Sequence, residues 1–266
     1  MRIRVLGGYG ADFCSIEQGD EVKQARGKRY NPTGFLINRS VALDAGTLSG
    51  ALPLEELTAI RAVFLTHSHL DHVQSLAYFS ESLFGRIDRP VEIFGLLESI
   101  QALKEHLFNN RLWPDFTRIP TAETPILRYR TIHAREPITV EGLTFTPIPV
   151  NHLVPSVGYI IEDKDAAVVF SGDTYKTEEI WEKASDLPHL KAAFIESSFP
   201  DQLGQLAHDS GHLTPSLVCQ EFSKIKRPDL SLYVYHMKPA YLESIRKEFD
   251  ILGRGMLIDD GQIFEF

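Results

Sequence analysis

The sequence has few of the features that mark secreted or membrane-embedded proteins. Only two of its 266 residues are cysteines, Cys14 and Cys219, and they stand far apart with no paired spacing. A disulfide framework is therefore not expected, and two isolated thiols fit a reducing compartment. No apolar run is long enough to cross a bilayer, and the N-terminus enters a strand-like alternation without a signal-like apolar stretch. These absences predict a soluble cytoplasmic protein with no membrane partner.

The sequence also lacks an excess of positive charge. It has 27 Lys and Arg residues against 36 Asp and Glu residues, which gives a formal net charge of -9. An acidic chain does not attract polyanions in general, so nucleic acid is not expected as a partner. A small anionic substrate stays compatible with this charge, because bound metal ions can dominate the local field.

The pattern of apolar residues indicates an α/β protein. Hydrophobic residues make up 43% of the chain, which is enough for a sizeable core in one large domain or two fused halves. Strand-like runs such as 60–65 and 166–170 come in groups with helix-like stretches between them, and this pattern appears twice. Two sheets packed face to face with helices outside, a four-layer αββα sandwich, would account for the repetition. Residues 85–135 are less regular.

A dense group of possible metal ligands directly follows the predicted strand at 60–65. His67, His69, Asp71 and His72 fall within six positions. Imidazole and carboxylate groups are suitable ligands for zinc, manganese or iron. Dividing neighbouring ligands between two ions sets a metal pair about 3.5–4 Å apart. A polar loop with a helix-capping role is the plainer alternative, but three histidines and an aspartate at this density favour a metal site.

Three more possible ligands stand singly where predicted strands end. They are His152, Asp173 and His236. Taken alone, each fits an ordinary hydrogen-bonded histidine or a turn aspartate. Ligands at the ends of several strands are held by a stiff scaffold, which a preorganised metal site needs. Together with the dense group, these residues predict a site with seven metal ligands.

The order of these residues resembles that of the binuclear metallo-β-lactamase superfamily, over a span from Asp44 to His236. The resemblance implies one hydrolase domain over residues 1–266 and places Asp44 as a structural aspartate near the site. It implies that one ion is held by His67, His69 and His152 and that the second is held by Asp71, His72 and His236. Asp173 would then bridge the two ions.

Four segments resemble, more narrowly, the class II cyclic-nucleotide phosphodiesterases. These segments are His67–Val73, Ile195–Pro200, Gly211–Pro215 and His236–Pro239. The resemblance implies hydrolysis of the 3′ phosphoester of cyclic AMP or cyclic GMP to the 5′-monophosphate. It also implies a bridging hydroxide on two divalent ions, with zinc foremost and manganese or iron as alternatives. No further cofactor is expected.

The resemblance also points to catalytic residues beside the ligands. The ribose oxygen that leaves needs a proton or charge stabilisation, and His212 oriented by Glu196 is the residue predicted for that role. Asp71 is counted with them, because its loss is expected to abolish turnover. His212 could instead be a structural loop histidine, and His208 and Asp209 are weaker alternatives for the acid.

Other functions share part of this pattern. A nuclease like the tRNA 3′-processing enzymes shares the ligand order, but such enzymes need a basic surface that this chain lacks. Hydrolases of other phosphate or sulfate esters make similar demands on a metal pair. Outside enzymes, a metal-binding or redox partner protein is the alternative, although a changed ligand set would be typical of it. A homodimer contact through residues 85–135 is a further prediction.

Overall fold

The computed structural model describes residues 1–15 and 28–266, with the backbone alone for residues 13–15. Its strands are β1 (Arg2–Gly7), β2 (Phe13–Ser15), β3 (Lys28–Tyr30), β4 (Gly34–Ile37), β5 (Val41–Leu43), β6 (Ala62–Phe64), β7 (Val91–Gly95), β8 (Leu127–Thr131), β9 (Ile138–Val140), β10 (Leu143–Pro149), β11 (Val157–Glu162), β12 (Ala167–Phe170), β13 (Leu190–Glu196), β14 (Ser231–Tyr235), β15 (Met256–Leu257) and β16 (Ile263–Glu265). They occur in both halves of the chain, as the sequence pattern predicts.

Helices lie between groups of strands. They are α1 (Leu54–Ala59), α2 (Leu70–Val73), α3 (Ser75–Leu83), α4 (Leu97–Ala102), α5 (Glu179–Ser185), α6 (Gly204–Ser210), α7 (Pro215–Ser223) and α8 (Leu242–Leu252). A π-helical turn at Leu103–Leu107 extends α4, and short 3-10 turns lie at Asp201–Leu203 and Pro239–Tyr241. Among the residues described, no helix has both the length and the apolar character needed to cross a membrane.

The strands form two large mixed sheets. In the described part of the chain, one has the order β16-β1-β4-β5-β6-β7-β8 and the other β15-β14-β13-β12-β11-β10-β9, with β2 and β3 as a separate hairpin. Strands β5 to β8 run parallel in the first sheet, and β12 to β15 run parallel in the second. Every residue of β5 and β12 is buried, as expected where parallel strands have both faces covered.

Three apolar clusters fill the spaces between the layers of sheets and helices. Between the sheets, Phe64 stacks on Phe145 with ring centroids 3.8 Å apart. A second cluster lies between the first sheet and helices α1, α3 and α4 and includes Leu57 and Phe79. A third lies between the second sheet and α5, α7 and α8 and includes Trp181. Helices therefore cover the outer face of each sheet, and the predicted four-layer αββα sandwich is confirmed.

The structure differs from the sequence pattern mainly at the sheet edges. The irregular region 85–135 contains β8, which pairs in parallel with β7. Its sequence, Leu-Arg-Tyr-Arg-Thr, is only partly buried, so it lacks the apolar run of the inner strands. Strand β16 was also not predicted, and it pairs antiparallel with β1. Short, half-exposed edge strands bury little apolar surface and so leave a weak pattern.

Of the two cysteines, one has a described side chain. Cys219 on α7 is a free, partly buried thiol, and burial raises its pKa. The side chain of Cys14 lies outside the described atoms.

Candidate metal centre

The side chains predicted to bind metal converge at one edge of the sandwich. Asp44 follows β5 and His67 follows β6, while Asp173 follows β12 and His236 follows β14. Side chains that follow strands of the two sheets meet directly, since Nε2 of His72 on α2 and Nε2 of His236 after β14 are 3.1 Å apart. The site is therefore built on strand ends of both sheets, which hold its side chains on a rigid frame.

We refer to His67, His69 and His152 as the first ligand group. One ring nitrogen of each lies within 4.8 Å of the others, and Nδ1 of His69 is 3.2 Å from Nε2 of His152. Two nitrogens bound at about 2.1 Å to one tetrahedral zinc are separated by roughly this distance. Burial lowers the pKa of all three imidazoles, which favours the neutral form that binds metal.

We refer to Asp71, His72 and His236 as the second ligand group. Nε2 of His236 is 3.2 Å from Oδ2 of Asp71, and the three possible ligand atoms cluster within 4.8 Å. Burial opposes ionisation of Asp71, but the hydrogen bond from His236 and the nearby imidazoles outweigh it and lower the pKa of this carboxyl. The second group therefore carries a negative charge that the first group lacks.

Asp173 lies between the two groups. Its Oδ2 is 3.2 Å from Nε2 of His72, 3.3 Å from Nε2 of His236 and 3.8 Å from Nε2 of His67. Burial acts against its charge, yet the histidines around it hold the pKa of this carboxyl well below its usual range. An anionic oxygen in this position faces ligand atoms of both groups.

Two buried atoms provide a test of whether these residues fit metal ions. Within the described residues, Nε2 of His67 and Oδ1 of Asp173 have no hydrogen-bond partner. A buried polar atom without a partner costs about 1–3 kcal/mol, and both atoms are of the types that divalent cations bind. Since His67 and Asp173 lie within the ligand clusters, the side chains present fit a pair of divalent cations.

Asp44 supports the second group from behind. Its carboxylate accepts a hydrogen bond from Nδ1 of His72 at 2.8 Å and another from the backbone N–H of Thr66 at 2.8 Å. Nδ1 of His72 therefore carries the proton and Nε2 faces the centre. Burial opposes a charge on His72, but Asp173 and Asp44 raise its pKa well above normal, so this position favours a cation. Asp44 stands where the family resemblance implies, with a strained backbone φ of 56°.

Close backbone approaches shape both groups. Nδ1–H of His152 donates to the carbonyl of Gly211 at 2.9 Å, and Gly211 ends α6 with φ 70°. A Cβ at Gly211 would lie 2.8 Å from Nδ1 of His152, and one at Gly10 would lie 2.8 Å from Cε1 of His236. Side chains at these two positions would displace the imidazoles, so glycine is required there.

His212 and Glu196 form a buried pair beside the ligands. Nδ1 of His212 is 2.8 Å from Oε1 of Glu196, and the same oxygen accepts the N–H of Thr174 at 3.2 Å. The His212 ring lies 5.1 Å from that of His152 and 5.4 Å from that of His236, so it contacts both groups. Burial lowers the pKa of His212, but the Glu196 carboxylate outweighs it and the net pKa is raised.

The two alternative residues for the acid lie elsewhere. His208 and Asp209 are exposed on α6 and pair with each other at 2.9 Å. Neither belongs to a ligand cluster of the described residues. Their proximity to His212 in sequence does not bring them to the centre, because the turn at Gly211 separates α6 from the loop that carries His212.

Two depressions differ in their chemistry. A groove of about 420 Å³ opens beside the first ligand group and is lined by His152 and by apolar residues that include Leu96, Val154 and Pro155. A second pocket, of about 260 Å³, is lined by polar side chains that include Ser49 and Gln74, and by Gly46, which packs against the backbone oxygen of Asp71. The predicted ligand His152 lines the groove, whereas none of the described residues that line the second pocket is a predicted ligand.

Three supporting residues were not singled out from the sequence. Thr66 donates to Asp44 and contacts Nδ1 of His67 at 2.9 Å, and Ser198 contacts Nδ1 of His236 at 3.0 Å. Nζ of Lys238 donates to the carbonyl of Gly10 at 3.4 Å. Each stands within two positions of a predicted site residue, and Ser198 and Lys238 also lie in segments that carry the narrower resemblance.

The fold and the site together define a class of protein. A four-layer αββα sandwich with histidines and aspartates at the strand ends is the architecture of the metallo-β-lactamase fold. The family model of the beta-lactamase superfamily domain matches residues 34–237. The chain belongs to the beta-lactamase superfamily.

Comparisons with known proteins agree with the narrower resemblance. The chain is 35% identical over 220 residues to a 3′,5′-cyclic-nucleotide phosphodiesterase of Schizosaccharomyces pombe, covering 70% of this chain and 59% of that protein. It is 26% identical over 206 residues to endoribonuclease ysh1 of the same organism, covering 72% of this chain and 25% of that protein. The crystal structure of unliganded yeast PDE1 superposes with a TM-score of 0.77 at 20% identity, covering 100% of this chain and 99% of that one.

The sequence matches cover only part of the relatives, whereas the structural match to yeast PDE1 covers nearly all of that chain. The chain spans between 52% and 59% of the length of the first three curated phosphodiesterases it matches. The predicted resemblance to cyclic-nucleotide phosphodiesterases is confirmed, as a similarity to proteins of that name.

Proposed function

We propose that this protein is a metal-dependent phosphodiesterase that hydrolyses 3′,5′-cyclic nucleotides to 5′-monophosphates. The observation that carries the proposal is the buried His212–Glu196 pair, 2.8 Å between Nδ1 and Oε1, beside both ligand groups. A metal centre alone would suit many hydrolases of this fold. An acid placed next to the ligands suits an ester whose leaving oxygen needs a proton. The names of the relatives support the choice of substrate.

The two ligand groups would each hold one divalent cation, and Asp173, which lies between the groups, would help to hold both. When bound, such a pair supplies Lewis acidity toward a phosphoryl group and a nucleophile from water at neutral pH. The imidazole-rich set favours zinc, and manganese or iron is the alternative. Asp44 and Thr66 keep the ring nitrogens of His72 and His67 turned toward the centre.

His212 would act on the leaving group. Hydrolysis adds a water oxygen to phosphorus and breaks the bond between phosphorus and the ribose O3′, which gains negative charge as it leaves. With Nδ1–H donated to Glu196, Nε2 is the nitrogen of His212 that can give a proton to O3′. The Glu196 carboxylate orients the ring and stabilises its protonated form.

The apolar groove beside His152 would hold the part of the ester that does not react. Its volume of about 420 Å³ accommodates a nucleobase, and its aliphatic lining suits the flat apolar face of a purine. The groove borders the first ligand group, and the ring of His212 lies 5.1 Å from that of His152. A nucleoside in the groove would therefore have its ribose near the proposed acid.

Nucleotide release from cyclic AMP and cyclic GMP tests the proposal. Turnover would be measured with added zinc or manganese and with a chelator, alongside bis-p-nitrophenyl phosphate and p-nitrophenyl sulfate. Chelator-sensitive formation of the 5′-monophosphate, far more efficient than cleavage of the artificial esters, is the expected result. Turnover of an artificial ester without turnover of either cyclic nucleotide would contradict the substrate. Binding of two metal ions with no hydrolysis would instead favour a metal-binding or redox partner protein.

Ribonuclease activity is the second function that an observation favours. The similarity to endoribonuclease ysh1 covers 72% of this chain. The net charge of -9 weighs against RNA, because polyanion binding depends on cationic side chains. Single-stranded RNA and a tRNA precursor added to the same assay separate the two functions. Cytoplasmic location and a homodimer stay predictions, and sedimentation of the purified protein checks the second.

A further inference from the structure

Ser198 lies between the metal ligands and the proposed acid. Its Oγ is 3.0 Å from Nδ1 of His236 and 3.2 Å from Oε2 of Glu196. The residue follows β13 and is fully buried, and its backbone N–H donates to the carbonyl of Leu213 at 3.1 Å. A rigid backbone therefore holds this hydroxyl between two functional side chains.

The chemistry of the three groups fixes the direction of the hydrogen bonds. An ionised carboxylate only accepts, so the Ser198 hydroxyl donates to Oε2 of Glu196. The carbonyl of His236 lies 3.3 Å from the same hydroxyl, but a charged acceptor gives the stronger bond. The lone pairs of Oγ then accept Nδ1–H of His236. Nε2 is then the nitrogen of His236 that faces the ligands, 3.2 Å from Oδ2 of Asp71 and 3.3 Å from Oδ2 of Asp173.

The two oxygens of Glu196 therefore serve different histidines. Oε1 accepts Nδ1–H of His212 directly, and Oε2 is linked to Nδ1–H of His236 through the Ser198 hydroxyl. Nδ1–H of each imidazole is engaged, so Nε2 is the nitrogen left to face the site, as a metal ligand in His236 and as the proton donor in His212. The second ligand group is thereby joined to the residue proposed to donate the proton.

We propose that Ser198 is a positioning residue that links His236 to the Glu196–His212 pair, so that one buried carboxylate sets the ring orientation of both histidines and directs Nε2 of each toward the site. The metal-binding part of this inference stands on the hydrogen bonds alone, and the catalytic part rests on the proposed function. Partners behind metal-bound histidines typically change metal affinity by about 10–100-fold when they are removed. Loss of the Ser198 hydroxyl should thus weaken one metal site and leave the other.

Ser197 offers a matched control in the adjacent position. It is fully buried like Ser198, and within the described residues its hydroxyl has no hydrogen-bond partner. Ser197→Ala and Ser198→Ala therefore remove the same atoms from neighbouring buried sites. Only the second breaks a hydrogen bond to a ligand. Ser198→Thr restores a hydroxyl at the same position.

Zinc titration of the metal-free full chain against a competing chromophoric chelator is the primary experiment. Ser198→Ala should lower the affinity of one of two sites by about 10–100-fold, while Ser197→Ala stays close to the wild type and Ser198→Thr recovers most of the loss. Equal affinities in Ser198→Ala and Ser197→Ala would overturn the proposal. Circular dichroism and melting curves establish that each variant is folded.

A measurement on the wild type covers the case in which Ser198→Ala does not fold. Long-range 15N–1H spectra of the zinc-loaded protein should show a proton on Nδ1 of His236 and none on Nε2. A proton on Nε2 would contradict the arrangement. Turnover of cyclic AMP adds the catalytic part, since Ser198→Ala should lower kcat with little change in KM. If zinc affinity shifts but no cyclic nucleotide is hydrolysed, the proposed function fails and the positioning role stands.

Discussion

The two ligand groups differ in charge and in what supports them. The first consists of three imidazoles, and two of them, His69 and His152, are partly exposed. The partner of His152 is a neutral carbonyl at 2.9 Å, and Nδ1 of His67 is linked to Asp44 only through the Thr66 hydroxyl. The second group contains the carboxylate of Asp71, and its two histidines have carboxylates behind them, Asp44 directly and Glu196 through Ser198.

This difference implies unequal affinity for metal. Divalent cations are stabilised by nearby anionic groups, and the effect grows where water is excluded. The buried carboxylates around His72 favour a cation there, whereas burial in the first group acts only to keep the imidazoles neutral. We expect the first group to lose its ion to a chelator before the second does. On dialysis against a chelator, bound metal and activity should then be lost in two steps, one for each ligand group.

Replacing Asp71 by alanine should have the largest effect. The change removes the charged ligand of the second group, and the Lewis-acid contribution of a metal ion is several kcal/mol, so turnover should fall by about 10³-fold or more. Cyclic nucleotide hydrolysis and bound metal per chain are the measurements. Asp209→Ala, which removes an exposed carboxylate on α6, is the control. Unchanged turnover in Asp71→Ala would rule out a two-metal mechanism.

Replacing His212 by alanine should distinguish proton donation from metal binding. The general-acid contribution is typically about 10²–10⁴-fold, so kcat should fall within that range while KM changes little. Metal content should stay at the wild-type level, in contrast to Asp71→Ala. His208→Ala serves as the control, because that histidine lies exposed on α6. A fall in bound metal would show that His212 is a ligand and would remove it as the acid.

Asp44→Asn should test the support of the second group. The amide is nearly isosteric, but its NH₂ cannot accept Nδ1–H of His72, which Asp44 accepts at 2.8 Å. Affinity at one site should fall by about 10–100-fold, as expected for a partner behind a bound histidine. Zinc titration against a competing chelator measures it. Equal weakening at both sites would mean that Asp44 acts on the whole centre, since Thr66 also links it to His67.

Glu196→Gln should move the alkaline limb of the rate profile. Glu196 raises the pKa of His212, so the protonated acid persists to higher pH than an ordinary imidazole. Activity depends on that proton and falls as pH rises through the raised pKa. Without the carboxylate charge the pKa drops, and the fall should begin at lower pH. A kcat profile over pH for both proteins is the measurement, and coincident alkaline limbs would dissociate His212 from the proton transfer.

The sequence was most informative where function is local in the chain. Four ligands of the predicted set occupy positions 67–72, and the fold places them together because they follow one strand. His152, Asp173 and His236 could be recognised because each follows an apolar run that becomes a strand. Fold class followed from the repeated grouping of buried strands. Strand ends and dense polar motifs can be recognised in a sequence without knowing which strands are neighbours in the sheets.

The hydrogen-bond partners that orient the ligands could not be predicted from the sequence in the same way. Ser198 and His236 are 38 positions apart, and Asp44 and His72 are 28 apart, yet each pair is within hydrogen-bond distance. Which polar neighbour meets which imidazole depends on strand order and on separations of a few tenths of an ångström. The same holds for the two depressions, whose linings come from several loops.

Filling the two depressions should give the smallest effect and locate the nucleobase. Val154→Trp narrows the apolar groove beside the first group, and Ser49→Trp narrows the polar pocket near the second. If the base occupies the groove, Val154→Trp should raise KM for cyclic AMP by about tenfold, since a lost or blocked apolar contact is worth about 1–3 kcal/mol. Base-free ribose 3′,5′-cyclic phosphate should be cleaved equally by both variants. A larger KM change in Ser49→Trp would show that the base binds in the polar pocket, on the side of the second group.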